Sequence, residues 1–351
     1  MKKILYGTTA LVAVGAFAAT GSQAAEPIQV SVGGYFQTAF VFVDYDNDAG
    51  RRSRTLQREA EIIFGGSTTL DNGLQVGVQV QLEAETCGDQ IDESFVFLAG
   101  NWGRVNIGSE NSAAYLMAVA SPAPSYWAFG LNSPNISITG NFPHTNPVNL
   151  SGDSEKITYF TPRFSGFQFG VSYTPDNCEE SGCGGTYSGS EFDTFADGTT
   201  GDIFEVGVNY TGKWDAIEIQ ASGSYGQGDD EGVGNEPEEW SAGLNVTFAG
   251  FTVGGAFHQA ESAANTDTTD WNVGVRYAMG PWGVGIQYAQ FEIEPAAGGD
   301  RDVKAVEVGG SYTLGPGVVL FGGIQYWDGD NGVTIATEET WAGFVGTHFA
   351  F

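Results

Sequence analysis

The chain closes on Glu338-Glu339-Thr340-Trp341-Ala342-Gly343-Phe344-Val345-Gly346-Thr347-His348-Phe349-Ala350-Phe351. Trp341, Val345, Phe349 and Phe351 share one face. Thr340, Ala342, His348 and Ala350 share the other, and Phe344 is the one large apolar residue out of step. Two is the side-chain period of a β-strand, so this segment has one greasy face and one mild one.

The same alternation recurs upstream. Leu74, Val76, Val78, Val80 and Leu82 alternate with Gln75, Gly77, Gln79, Gln81 and Glu83. Phe167–Thr174, Phe204–Thr211, Glu239–Phe248 and Trp271–Tyr277 repeat the pattern. One such strand would suit any half-buried sheet, but about sixteen of them, each roughly 8–12 residues long, match what a tilted strand needs to cross a bilayer. Their connections are of two kinds. Asp71-Asn72-Gly73, Ala249-Gly250 and Gly280-Pro281-Trp282 are tight turns, whereas Asp44–Arg52, Asp176–Gly201, Gln227–Pro237, Glu294–Arg301 and Asp328–Thr337 are long and acidic. Seven tryptophans sit near strand ends: Trp102, Trp214 and Trp282 at short turns, and Trp240, Trp271, Trp327 and Trp341 near long loops. Amphipathic rings favour these interfacial positions. The expected fold is all-β, a transmembrane antiparallel up-and-down β-barrel of about sixteen strands.

Lys2 and Lys3 precede an uncharged stretch from Ile4 to about Ala19, and Ser22-Gln23-Ala24 offers a cleavage site. Residues 1–24 therefore read as a secretory signal peptide, leaving 25–351 as the barrel. No later segment approaches the ~20 apolar residues of a transmembrane helix. With 43 acidic against 13 basic residues the formal net charge is −30, which argues against nucleic acid as a partner. Aromatic residues make up 13%, too many for a disordered acidic chain. An exported chain can form disulfides, and Cys178 and Cys183 are close enough to bridge within one loop. That pairing leaves Cys87 over, so a different pairing or an intermolecular link stays open. Asp44, Asp46 and Asp48 are spaced to gather carboxylates around calcium or magnesium, although Ala49 stands where a calcium hand has glycine. No G-x-S-x-G, H-E-x-x-H or P-loop occurs, and His144, His258 and His348 are widely separated, so no enzyme is expected.

Residues 110–155 break the hairpin rule. The segment is long, holds an Ala/Leu/Met-rich stretch at 113–120 and the apolar run Tyr126-Trp127-Ala128-Phe129-Gly130, and is expected to fold inward against the barrel wall. Together with Glu59-Ala60-Glu61-Ile62-Ile63-Phe64-Gly65-Gly66, the hairpin Leu70-Asp71-Asn72-Gly73-Leu74, the run Gln79–Glu83 and terminal Phe351, it makes the chain resemble the trimeric general diffusion porins, especially the alphaproteobacterial type. The resemblance implies a homotrimer in outer-membrane lipid, with a third loop that forms an eyelet for ions and small hydrophilic solutes. One departure matters. Such eyelets set acidic loop residues against a basic wall, yet 111–152 contains no Asp or Glu.

The expected constriction and lumen charges are Glu110, Asp153, Glu155, Lys156, Arg104, Arg276, Glu59, Glu61 and Glu83, with Glu205, Glu218, Glu239 and Glu307 also on the polar faces. Arg51, Arg52, Arg54 and Arg58 cluster near the first loop, within possible reach of the pore. The excess of carboxylates predicts modest cation selectivity. Two alternatives are a substrate-selective sugar porin, using Tyr126, Trp127 and Phe129, and a secreted soluble calcium- or carbohydrate-binding β-protein.

Overall fold

The computed structural model describes residues 27–46, 50, 52–85, 91–139, 147–177, 200–232, 234, 236–296, 298–329 and 339–351. Its strands are β1 (Gln29–Tyr45), β2 (Arg54–Thr69), β3 (Gln75–Glu83), β4 (Glu93–Gly100), β5 (Gly103–Ser109), β6 (Glu155–Phe160), β7 (Phe167–Asp176) and β8 (Thr200–Trp214), then β9 (Ile217–Asp230), β10 (Glu238–Phe248), β11 (Phe251–Glu261), β12 (Thr266–Met279), β13 (Trp282–Pro295), β14 (Arg301–Gly315), β15 (Val318–Gly329) and β16 (Glu339–Ala350). Each pairs antiparallel with its sequence neighbours, and β1 pairs with β16 to close a sixteen-stranded barrel. Among the described residues the only helical pieces are α1 (Ala113–Leu116) and a 3-10 turn at Trp127–Phe129.

Closure satisfies the backbone. Hydrocarbon offers no partner to an unpaired N–H or C=O, so a sheet that crosses it must have no edge. The last residue completes the seam: Phe351 N donates to Gly34 O and Gly34 N donates to Phe351 O, both at 3.1 Å. Short turns serve the same end. Phe164 and Phe167 exchange both backbone bonds across Ser165 and Gly166, whose φ values are 48° and 91°. Ala249 and Gly250 repeat this at 50° and 86°, the double left-handed geometry that matches strand twist in a two-residue hairpin.

The barrel is inside-out relative to a soluble protein. Val78, Leu244, Val273, Ile286, Ile324 and Val345 are exposed on the outer face, while Gln37, Gln81, Asn106, Thr158, Glu205, Gln287, Glu307 and Gln325 are buried on the inner one. Trp102, Trp214, Trp240, Trp282 and Trp341 are exposed near strand ends, and Trp271 shares the outer face with Val273. Trp327 departs from the expected girdle. It points inward, is buried, and stacks with Phe291 at 6.2 Å. Phe344 is also inward, sharing the face of Ala342 and His348. Both rings meet the loop that folds into the lumen, which sequence alternation alone cannot reveal.

Several strands run further than expected. β9 reaches Asp230 and β13 reaches Pro295, because cross-strand pairing continues past the apolar belt, as in Gly201↔Asp229 and Asp267↔Glu294.

Val345→Arg, mid-strand on the outer face of β16, should cost about 2–4 kcal/mol in urea titrations of the barrel refolded into phospholipid vesicles. A change within error of zero would mean that this face does not meet lipid.

Candidate pore constriction

The segment from Glu110 to Ser154, L3 below, has no carboxylates between 111 and 152 but many Ser and Asn side chains. It is a donor-rich loop, and the wall it folds onto is acidic. Its neck is stapled first. Lys156 Nζ, buried at the start of β6, donates to the carbonyl oxygens of Glu110, Gly152 and Ser154, so one ammonium holds both ends of L3. Ser109 Oγ adds a bond to Asp153 O. Glu110 is buried beside this neck, where Asn106 Nδ2 donates to its Oε2 at 2.7 Å. Burial pushes the Glu110 carboxyl up to about 7, outweighing the Asn106 bond and the nearby Lys156 charge. Burial also raises the Tyr115 phenol, with Asp153 and Glu93 adding to the effect.

Five wall carboxylates then grip L3. Asn111 donates to Glu93 on β4 through its backbone N at 3.2 Å and its side chain at 2.9 Å. Ser112, the N-cap of α1, donates to Glu205 on β8 at 3.0 Å, and Ser151 Oγ reaches the other Glu205 oxygen. Ser125 Oγ donates to Glu307 on β14 at 2.6 Å, while Gln325 donates to its second oxygen at 3.0 Å. Asn135 Nδ2 donates to Glu59 on β2 at 2.7 Å, alongside Tyr35 and Gln37. Asn149 N donates to Glu239 on β10 at 2.8 Å. A carboxylate taken out of water needs donors of this kind, and bonds to a charged acceptor are worth about 1.5–3 kcal/mol each.

The apolar run fills the gap between these clamps. Ala128, Phe129, Ile136 and Ile138 pack against Ala39, Val41, Val43, Phe321, Ala342 and Phe344, with the Phe129 and Phe321 rings 5.0 Å apart. Leu131 packs into a second cluster with Ala289, Phe291, Val303, Ala305 and Trp327. L3 therefore follows the wall strand by strand.

The expected lumen residues divide into three groups. Glu59 and Glu110 lie on the inner side but are buried by L3 and its neck. Lys156 is inward but serves as the neck staple and not as the free pore charge that was expected, while Asp153, half-buried beside it, accepts from Ser109 through its backbone carbonyl. Glu155 is a correction of face. It precedes Lys156 by one residue and so takes the exposed outward phase with Ile157. Of the first-loop arginines, Arg58 alternates with buried Glu59, is exposed, and donates to Glu85 O at 3.1 Å; Arg54, in the same phase, is exposed too.

Arg104 is inward, bonded to Asn106 at 2.6 Å and 4.1 Å from the Phe97 ring centroid. Arg276 donates to Ser311 at 2.9 Å near the short-turn end of β12. Glu61 and Glu83 pair across β2 and β3, and carboxylate oxygens of Glu61, Glu83 and Asp92 all lie within 4.8 Å of one another. Sequence reasoning missed Asp92, which lies just before β4. Asp44 belongs to β1 and is exposed, as is Asp46; Asp48 lies outside the described residues. So do Cys87, Cys178, Cys183, His144, Arg51 and residues 1–24. His258 is inward, 2.8 Å from Asp270 and 3.5 Å from Glu239.

Removing one grip should loosen L3. Glu205→Ala leaves the Ser112 and Ser151 hydroxyls without the acceptor they donate to, at a cost of about 1–3 kcal/mol each. It should raise open-channel current noise in planar bilayers, and noise equal to that of the parent would dismiss the grip. Glu110 gives a pH signature. An acid whose pKa is raised in the folded chain keeps its proton more tightly there, so stability falls as pH climbs from its ordinary 4.5 through about 7. Glu110→Gln and the parent should melt alike in acid, the variant then gaining a margin that grows until about pH 7 and is flat above. A margin independent of pH would show that burial of Glu110 is not the cause.

Comparison with known proteins agrees with this geometry. The fold resembles a loop-deletion form of OmpT, an outer membrane protein of Vibrio cholerae, with 14% identity over 93% of this chain and 100% of that one at a TM-score of 0.64. It also resembles an anion-selective porin from Comamonas acidovorans, with 18% identity over 92% of this chain and 100% of that one at 0.64. A porin refined at 1.8 Å shares 16% identity over 92% of this chain and 100% of its own, at 0.60. No curated protein sequence matches the chain. The sequence pattern of the Gram-negative porins, however, matches residues 7–332. The chain belongs to that family, and its barrel is a porin channel of the bacterial outer membrane.

Proposed function

We propose that the channel passes ions and small hydrophilic solutes by passive diffusion and modestly prefers cations. The observation that carries this reading is a convergence of carboxylates on the inner wall. Glu59, Glu93, Glu205, Glu239 and Glu307 are engaged by loop donors, and beside them carboxylate oxygens of Glu61, Glu83 and Asp92 converge within 4.8 Å of one another on the β2–β4 side of the wall. A pore lined by charges of one sign selects ions of the other. Besides the neck staple Lys156, the inward cations Arg104, Lys213 and Arg276 sit toward the short-turn end, where Lys213 is paired with Glu218 at 3.2 Å. Similar folds include one described as anion-selective, so preference is carried by charge placement and not by architecture.

Assembly as a homotrimer is part of the same proposal, supported by a form of Vibrio cholerae OmpT described as a trimer. A sugar-selective slide has less support. Phe129 is buried against Phe321 and Phe344, which removes it from the row that Tyr126 and Trp127 would need.

Planar-bilayer recordings under a KCl gradient test the proposal. The expected result is stepwise conductance in threes with a reversal potential favouring potassium, reduced toward zero by Glu83→Gln combined with Asp92→Asn. A potential favouring chloride would overturn the charge assignment, and absence of conductance would remove diffusion.

A further inference from the structure

The inner wall carries a repeated module on the strands that L3 crosses. On each, a glycine and a polar residue stand two positions apart and therefore on the same inward face: Gly243 and Asn245 on β10, Asn272 and Gly274 on β12, and Glu307 and Gly309 on β14. The polar member bonds L3. Asn245 Nδ2 donates to Ala120 O at 2.9 Å, Ser121 N donates to Asn272 Oδ1 at 3.2 Å, and Ser125 Oγ donates to Glu307 at 2.6 Å.

The glycine member makes room for the same stretch of loop. A Cβ added at Gly243 would lie 1.8 Å from Val119 O; at Gly274, 2.7 Å from Pro122 O; at Gly309, 2.8 Å from Ser125 Cβ. Two of these neighbours are loop backbone, which no rotamer change can move aside. The pattern continues to β9, where Ser224 Oγ donates to Ala114 O at 3.0 Å and a Cβ on Gly226 would meet Val148 Cγ1 of the returning arm at 2.9 Å.

We infer that these wall glycines are size-selectivity determinants: they form a track that lets L3 lie flush against the wall and so set the width of the constriction. The inference rests on the diffusion reading above. Loop carbonyls and wall backbone approach as closely as they do only because no side chain intervenes, and the adjacent Asn, Ser and Glu fix the loop at that depth. A methyl group at Gly243 requires L3 to retreat by roughly 1.5 Å to regain ordinary contact, and the space it takes is lumen.

The test compares Gly243→Ala with Gly343→Ala, an outward position on β16 where an added Cβ meets nothing within 4 Å. Full-length proteins are refolded, heat-modifiable migration on detergent gels confirms the barrels, and liposome swelling is measured with sugars of increasing size. Gly243→Ala should lower single-channel conductance by about 1.5-fold and slow the largest permeant sugar more than the smallest, with Gly343→Ala matching the parent. A general folding defect would slow all sugars in proportion, and that outcome would overturn the inference. So would a Gly243→Ala barrel with the parent's conductance and size dependence.

Should Gly243→Ala fail to fold, Gly226→Ala decides. It should narrow the pore in the same size-dependent way, and Val148→Ala in the same chain should bring the profile part of the way back by trimming the methyl that lies nearest the added Cβ, with Glu205 and Leu150 still close to it. A narrowed profile that the second change leaves untouched would count against the track. A parent that conducts nothing would indict the diffusion reading itself, whereas a conducting parent with indifferent glycine variants would indict only the track.

Discussion

Burial of carboxylates inside a barrel is the constraint around which this molecule is organised. Acids line the inner wall at the height of L3, and the loop covers them. A covered carboxylate can only accept, so each needs donors or the desolvation cost stands unopposed. The absence of Asp and Glu from 111–152 follows directly. An acidic loop would set like charge against Glu59, Glu205 and Glu307; a loop of serines and asparagines meets each with O–H or N–H groups. The usual eyelet pattern of acidic loop and basic wall is reversed in sign on the wall and neutral on the loop, and the same docking results.

Lys156 gives the arrangement its topology. Three carbonyls from opposite ends of L3 converge on one ammonium, which closes a loop of more than forty residues at its base. Closing a long loop costs little more entropy than closing a short one, so a single strong staple suffices and the remaining contacts can be spread around the wall. They are spread widely: Glu205 takes Ser112 and Ser151, Glu307 takes Ser125, and Glu59 takes Asn135, so that no one grip decides where the loop lies.

Strand number, closure and the outer face were legible because the two-residue period is local and repeated. The C-terminal segment shows both the strength and the limit of that period. Trp341, Val345 and Phe349 face outward as their alternation implies, but Phe344 could be classed only as an exception until Phe129 was seen against it, 6.2 Å away. Trp327 misled for the same reason: an apolar ring near a strand end suits a lipid interface and a loop-covered wall equally well. The face error at Glu155 was a one-residue slip, the smallest error a strand allows and enough to exchange lumen for lipid. The grips were illegible for a different cause. Ser112 and Glu205 are 93 positions apart, and Ser125 and Glu307 are 182 apart, so no local pattern joins them.

Net charge is consequently a poor guide to what a permeating ion meets. The chain carries −30, but its acids fall into classes with different reach. Those at the ends of the long strands are solvated and screened within a Debye length of about 8 Å at physiological salt. Those under L3 are surrounded by donors whose dipoles point at them and offset their field in the lumen. Glu61, Glu83 and Asp92 belong to neither class. They converge to within 4.8 Å on the β2–β4 stretch of wall, next to β1 and its apolar cluster, where low-dielectric packing screens them less than water would. A few carboxylates converging beside a constriction therefore contribute more to the field in the lumen than many displayed at the rim, and the path of L3 determines which wall acids are met by loop donors.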